Sequence, residues 1–369
     1  MKRILCFILI ITCVVCLVSC SKTSKQSEIN EISKIEETIQ EEANLETKEP
    51  ETTIETTTPT SAPTEMPTTE PTESVTKEPL DLRGEKIGLV LAGGGTKGAY
   101  EAGALKALSE IGLLDNVIGV SGTSIGSVNL GILYGSDMKT FIKLWKNVNS
   151  NDFVSDKSLK EFKEKYDSKD KLLDFVLSGA QDGLCSRDGM VKIIKKNTDL
   201  SKISKSKDKV FYVTGAKMSL LDSKAEYFKL NGLKNDEIID RILASSAIPV
   251  LYPQEEIDGY NYADGGLFDN VPITPLYNEN IRNFIVITTD CNFEVSNEEY
   301  PDASFYIINP SVSLGENLID MLNFTQETLD FQYYLGYYDA KEYVNSYING
   351  KNPELKENES IARKQVKNK

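Results

Sequence analysis

Three short stretches hold residue types that can do acyl chemistry. Gly122-Thr123-Ser124-Ile125-Gly126 has the Gly-x-Ser-x-Gly form of a nucleophile elbow, in which a serine sits on a tight strand-to-helix turn. Such a serine ordinarily gives its proton to a histidine, yet the 369 residues contain none. Either Ser124 is not a nucleophile, or another group takes its proton. Asp264-Gly265-Gly266 offers a carboxylate, although an Asp-Gly pair is equally a hairpin-turn signal. Gly93-Gly94-Gly95-Thr96-Lys97-Gly98 follows an apolar run and precedes a helical pattern. Glycines there let backbone N–H groups approach a bound oxygen closely, with the positive end of a helix dipole behind them. Read instead as Gly93-x-Gly95-x-x-Gly98, the same residues match a dinucleotide fingerprint. That alternative wants an acid at the carboxyl end of the second strand, and Asp115 lies at its amino end. A phosphate P-loop fails as well, because no Ser or Thr follows a Gly-Lys pair.

These residues require a strand before each glycine-rich turn and a helix after it. Residues 86–92 and 117–120 are apolar runs of strand length. Residues 98–111 carry Ala102, Leu105 and Leu108 at helical spacing, and 124–134 reads as the helix after Ser124. Further strands are expected over 209–218, 283–289 and 304–308, and further helices over 141–148, 159–177, 235–247 and 314–348. Strands alternating with helices imply a mainly parallel sheet with helices on both faces. The folded domain is expected to span residues 82–349, with 350–369 as a charged C-terminal tail.

Taken together, the three stretches resemble the patatin-like phospholipase family over residues 86–343. Gly93 to Gly98 looks like that family's oxyanion block, Gly122 to Gly126 like its nucleophile block, and Asp264-Gly265-Gly266 with Asn270 and Pro272 like its aspartate block. Ala244-Ser245-Ser246-Ala247-Ile248-Pro249 is similar to a further family segment. The resemblance implies a three-layer α/β/α domain and a Ser124–Asp264 dyad that needs no histidine. It implies hydrolysis of fatty-acyl esters of lipids or phospholipids, phospholipase A or lysophospholipase in kind. Two positions depart from the pattern. Ala92 stands where plant members carry an acid, and Lys97 where many members have arginine. Lys97 either steadies the loop or attracts an anionic head group, without bidentate geometry. A solvated aspartate with a pKa of about 3.9 is a poor base for a hydroxyl, so burial of Asp264 is expected to raise it. The alternatives are a non-catalytic lipid- or partner-binding module on the same fold, and a nucleotide-binding enzyme using the Gly93–Gly98 loop.

The start of the chain is of another kind. Lys2 and Arg3 precede an apolar run over residues 4–18, which reads as a secretory signal. Leu17-Val18-Ser19-Cys20 matches a bacterial lipobox. Residues 1–19 are thus expected to be removed, and Cys20 to carry lipid, including palmitate, on the outer face of the cytoplasmic membrane. Residues 20–81 form a Thr/Pro/Glu-rich linker with few apolar side chains to bury. Its stretch 50–79 would reach roughly 90 Å when extended. Of the net charge of −15, residues 28–79 supply −11 and residues 1–27 supply +4, leaving −8 from residue 80 onward. Most of the acidity belongs to the linker, and nothing suggests a nucleic-acid partner. Beyond Cys20 the mature chain keeps only Cys185 and Cys291, too few for a disulfide framework. No cofactor is implied, and no metal: without histidine, only carboxylate sites remain.

Overall fold

The computed structural model describes residues 84–153, Gly183, and residues 185–219, 222–296, 298–315, 321–349 and 354–367. The expected signal sequence, Cys20, the expected linker and the helix expected over 159–177 lie outside the described residues. In chain order the principal elements are β1 (Ile87–Leu91), α1 (Gly98–Glu110), β2 (Val117–Thr123), α2 (Ile125–Gly135) and α3 (Met138–Trp145). They continue with α4 (Asp188–Asn197), β3 (Val210–Met218), β4 (Lys224–Lys229), α5 (Asn235–Ser245), β5 (Glu255–Ile257) and β6 (Tyr260–Asp264). The chain then forms β7 (Asn283–Ile287), β8 (Ser304–Ile308), α6 (Gln326–Asn349) and α7 (Asn358–Lys367).

The strands form one mixed sheet in the order β5-β6-β3-β2-β1-β7-β8, with β4 also paired to β3. From β3 to β8 the neighbours are parallel, whereas β4, β5 and β6 add antiparallel pairs. The alternating side chains of β1 feed two cores. Ile87, Leu89 and Leu91 join the large cluster with residues of α1, α2, α5 and α6. Val90 points the other way, into a smaller cluster with Leu276, Phe284 and Val286. Among the described residues, the short helix Thr274–Asn278 and loops cover this second face.

Local chemistry explains where element boundaries depart from expectation. Helix α3 starts three residues early because the Asp137 side chain accepts the Thr140 N–H at 2.7 Å. Helix α6 begins only at Gln326, where Thr325 Oγ1 accepts the Thr328 N–H at 3.3 Å. The stretch expected to be a charged tail contains α7, which docks on α6. The fully buried Asp339 gathers three elements there. It accepts from Tyr100 at 3.1 Å, from the Ser311 N–H at 2.8 Å and from Asn358 at 2.8 Å.

Helices α1 and α6 cross in backbone contact. A Cβ on Gly103 would lie 1.9 Å from the Tyr333 carbonyl oxygen, and one on Gly336 would lie 2.0 Å from that of Tyr100. Neither carbonyl can move away without breaking its helix. Gly103→Ala should therefore destabilise the protein by about 1–3 kcal/mol, read as a lower urea midpoint. An unchanged midpoint would rule out this close crossing.

Candidate active site

The site begins with how β3 is paired. Its first half, through Thr214, lies beside β2, and Thr123 is the partner of Thr214. Its second half lies beside antiparallel β6, and Asp264 is the partner of Gly215. Strand β4 runs along residues from both halves, Tyr212 to Lys217. Each strand has two edges, so β2 and β6 share the remaining one and end on it head to head. Ser124 follows the last residue of β2, and Asp264 is the last of β6. Their side chains meet: Ser124 Oγ donates to Asp264 Oδ2 at 2.6 Å.

Ser124 adopts φ 53° and ψ −121°, outside the regions open to most residues. The glycines around it are required by packing. A Cβ on Gly122 would meet the Gly126 carbonyl carbon at 2.6 Å, and one on Gly126 would meet Leu91 O at 2.4 Å. Only with both absent can the first turn of α2 sit on β1 and β2. Gly265 is enclosed in the same way, its Cβ position 2.2 Å from Thr214 O.

The glycine loop docks onto the aspartate segment. Gly93 N–H donates to Asn270 O at 3.2 Å, and Thr289 Oγ1 donates to Gly93 O at 2.7 Å. Gly94 and Gly95 have φ 158° and 60°, and neither N–H meets a backbone acceptor among the described residues. Thr96 is fully buried. Lys97 is buried too, and its Nζ donates to Gly315 O at 2.6 Å. That contact ties the Gly93–Gly98 loop to the segment at Gly315. Gly98 opens α1, with Ile125 and Trp145 packed where its Cβ would be. Asn129 holds this junction: it donates to Gly98 O at 3.1 Å and Glu101 Oε2 at 2.8 Å, and accepts from Trp145 at 2.8 Å. Burial pushes the Glu101 carboxyl well above its ordinary range, which favours its neutral form. Neither Glu101 nor Asn129 belongs to one of the sequence motifs; an acid in the Ala/Gly-rich first turn of α1 is the signal that points to Glu101.

Asp264 is likewise buried, and desolvation raises its carboxyl from 3.8 to about 6. The Ser124 hydroxyl, the Gly266 N–H at 2.8 Å and the positive charge of Arg187 oppose that rise. Arg187 is another residue without a sequence motif. Ile125, the residue after Ser124, lines an apolar cavity of about 100 Å³ with Val128, Trp145, Phe153, Met190 and Ile193.

With this geometry in place, comparison with known proteins assigns the class. The model of the patatin-like phospholipase family matches residues 89–277, which is 189 of the 369 residues. The chain belongs to that family, and the dinucleotide reading of Gly93–Gly98 gives way to it. A lysophospholipase of Aspergillus niger is 52% identical over 56 residues, covering 15% of this chain and 4% of that protein. An NTE family protein of Mycobacterium tuberculosis is 26% identical over 203 residues, 55% of this chain and 49% of that one. The chain thus spans half or less of the length of these curated relatives. Among solved structures, VipD of Legionella pneumophila has a TM-score of 0.42 at 17% identity, over 71% of this chain and 67% of that one. Human GIVD cytosolic phospholipase A2 also has a TM-score of 0.42, at 10% identity, over 75% and 60%.

The raised Asp264 pKa has a consequence for stability. The folded value of about 6 lies above the ordinary 3.8, so the protonated carboxyl favours the folded state. That contribution is complete below pH 3.8 and is lost as pH rises through 6. Asp264→Asn is neutral throughout, so it should be more stable than the parent at pH 8 by about 1–3 kcal/mol. Near pH 4 the difference should vanish. Melting temperatures of both proteins at the two pH values check this; equal values at pH 8 would contradict a desolvated Asp264.

Proposed function

We propose that the protein is a serine acyl hydrolase of lipids, with Ser124 as nucleophile and Asp264 as general base. The observation that carries this is the 2.6 Å Ser124–Asp264 hydrogen bond at a strained strand-to-helix turn. Ser124 attacks the ester carbonyl as its proton passes to Asp264. The tetrahedral oxyanion accepts hydrogen bonds from N–H groups of Gly94, Gly95 and Ile125, at the positive end of α2. Asp264 then protonates the leaving alcohol. Water attacks the acyl-serine in turn, giving its proton to Asp264, which returns it to Ser124. A base with a pKa near 6 is largely ionised at pH 7 and still far more basic than a solvated aspartate. The apolar cavity beside Ile125 favours a fatty-acyl chain over a polar acid. Phospholipase A or lysophospholipase activity is the finer form of this reading.

Kinetics on aryl esters test it. Ser124→Ala should abolish hydrolysis and labelling by an organophosphonate, and folded Asp264→Asn should lose at least about 100-fold in kcat/KM. The parent kcat/KM should fall as pH drops below about 6, where Asp264 becomes protonated. Near-parent kcat/KM in folded Asp264→Asn would falsify the dyad.

We also propose that Cys20 is lipidated and anchors the exported protein to the outer face of a bacterial cytoplasmic membrane. The lipobox Leu17-Val18-Ser19-Cys20 after the apolar run supports this. Cys20→Ala should end incorporation of labelled palmitate in producing cells; persistent labelling would remove the assignment.

A further inference from the structure

The segment Ala244 to Pro249 has no chemical role in the mechanism above, yet it touches both halves of the dyad. Ser245 Oγ accepts the backbone N–H of Ser124 at 3.0 Å. Two residues on, Ala247 O accepts the backbone N–H of Asp264 at 2.8 Å. One stretch of chain therefore holds the nucleophile from one side and the base from the other.

Both ends of that stretch are gripped by one side chain. Arg187, just before α4, donates through Nη1 to Leu243 O and through Nη2 to Pro253 O at 2.8 Å. Its guanidinium lies 4.9 Å from the Tyr252 ring centre. Nearby, Cys185 N–H donates to Leu251 O at 2.8 Å. The stretch is also strained: Val250, a β-branched residue, has φ 72°. A buried guanidinium is costly to desolvate. Its nearest carboxylate oxygen, on Glu255, stands 3.8 Å away, at ion-pair rather than hydrogen-bond distance. An apolar side chain would fill the site at lower cost, so packing alone does not account for an arginine here.

We propose that residues 243–253 form a bracket that sets Ser124 against Asp264, and that Arg187 is the positioning residue that holds the bracket closed. This rests on the dyad reading and gives the segment a mechanical role. The groups facing the guanidinium are Glu255, Tyr252 and Asp264. Those facing the Asp264 carboxyl are the Ser124 hydroxyl, the Gly266 N–H and Arg187. Arg187 therefore acts on the base through space as well as through the chain.

The test measures kcat, KM and the pH profile on a short-chain aryl ester for Ser245→Ala, Arg187→Lys and Arg187→Met, with Ser124→Ala as control. Ser245→Ala removes one grip and little volume. It should lower kcat about 10-fold at nearly constant KM and melting temperature, as expected for a misplaced nucleophile. Arg187→Lys keeps the charge but not the two-point grip, so kcat should fall while the acid limb stays in place. Arg187→Met should lower kcat and also move the acid limb to higher pH, because the opposing positive charge is gone. Parent kcat in Ser245→Ala, or in folded Arg187→Lys, would overturn the bracket. So would a folded Arg187→Met with the parent's kcat and acid limb; if that variant does not fold, the other two decide. Full activity in Ser124→Ala would instead sink the dyad and take the bracket with it. An inactive Ser124→Ala beside a parent-like Ser245→Ala would sink the bracket alone.

Discussion

The structure depends on one edge of one strand. Strands β2 and β6 come from opposite directions and end against consecutive residues of β3, Thr214 and Gly215. Backbone hydrogen bonds to β3 fix both strand ends to within the tolerance of a sheet register. A slip of one residue in either strand would turn its side chains to the other face. The 2.6 Å contact between Ser124 and Asp264 follows from that alignment more than from side-chain adjustment. The glycines of the elbow and of the aspartate turn are the places where this convergence leaves no room for a Cβ.

Burial of Asp264 works against its charge, and the surroundings limit how far. Desolvation raises the carboxyl and is the largest cause of its shift. The Ser124 hydroxyl, the Gly266 N–H and Arg187 each favour the ionised form. The outcome, near 6, is about two units above the ordinary value, equivalent to about 3 kcal/mol between the two protonation states. Glu101, deeper and without a cation among the causes of its shift, is raised well above its ordinary range. Two buried carboxyls thus answer to the same cause with different endpoints, and the difference lies in what faces them.

Much of this was legible in the residues. Strands β1 and β2 are short apolar runs cut off by glycines, and β3, β7 and β8 are apolar runs of strand length, so all five read as strands. Strand β4 was not, because Lys224 and Lys229 bound it and its exposed edge carries charge, which suits an unpaired sheet border. Strand β5 has three residues, too few for a period to register. Helix α7 reads as a charged run because Asn358 and Ala362 are its only buried residues among those described. Arg187 illustrates a different limit. A single arginine between a serine and an aspartate looks like any surface residue, and its role depends on carbonyls some sixty positions away. The expected lipobox and linker lie outside the described residues.

The arrangement of β2 and β6 on β3 also bears on how such a protein can change. Ser124 and Asp264 are 140 positions apart in the chain, yet their spacing in three dimensions is set by a shared strand. The connecting chain does not hold the two together by its own length. Loops within those 140 positions can lengthen at modest entropic cost, provided that β3 and the turns at Ser124 and Asp264 are kept. New surface loops are therefore open to variation while Ser124 and Asp264 stay where they are. The fold separates what must be conserved in position from what is free to diversify in length.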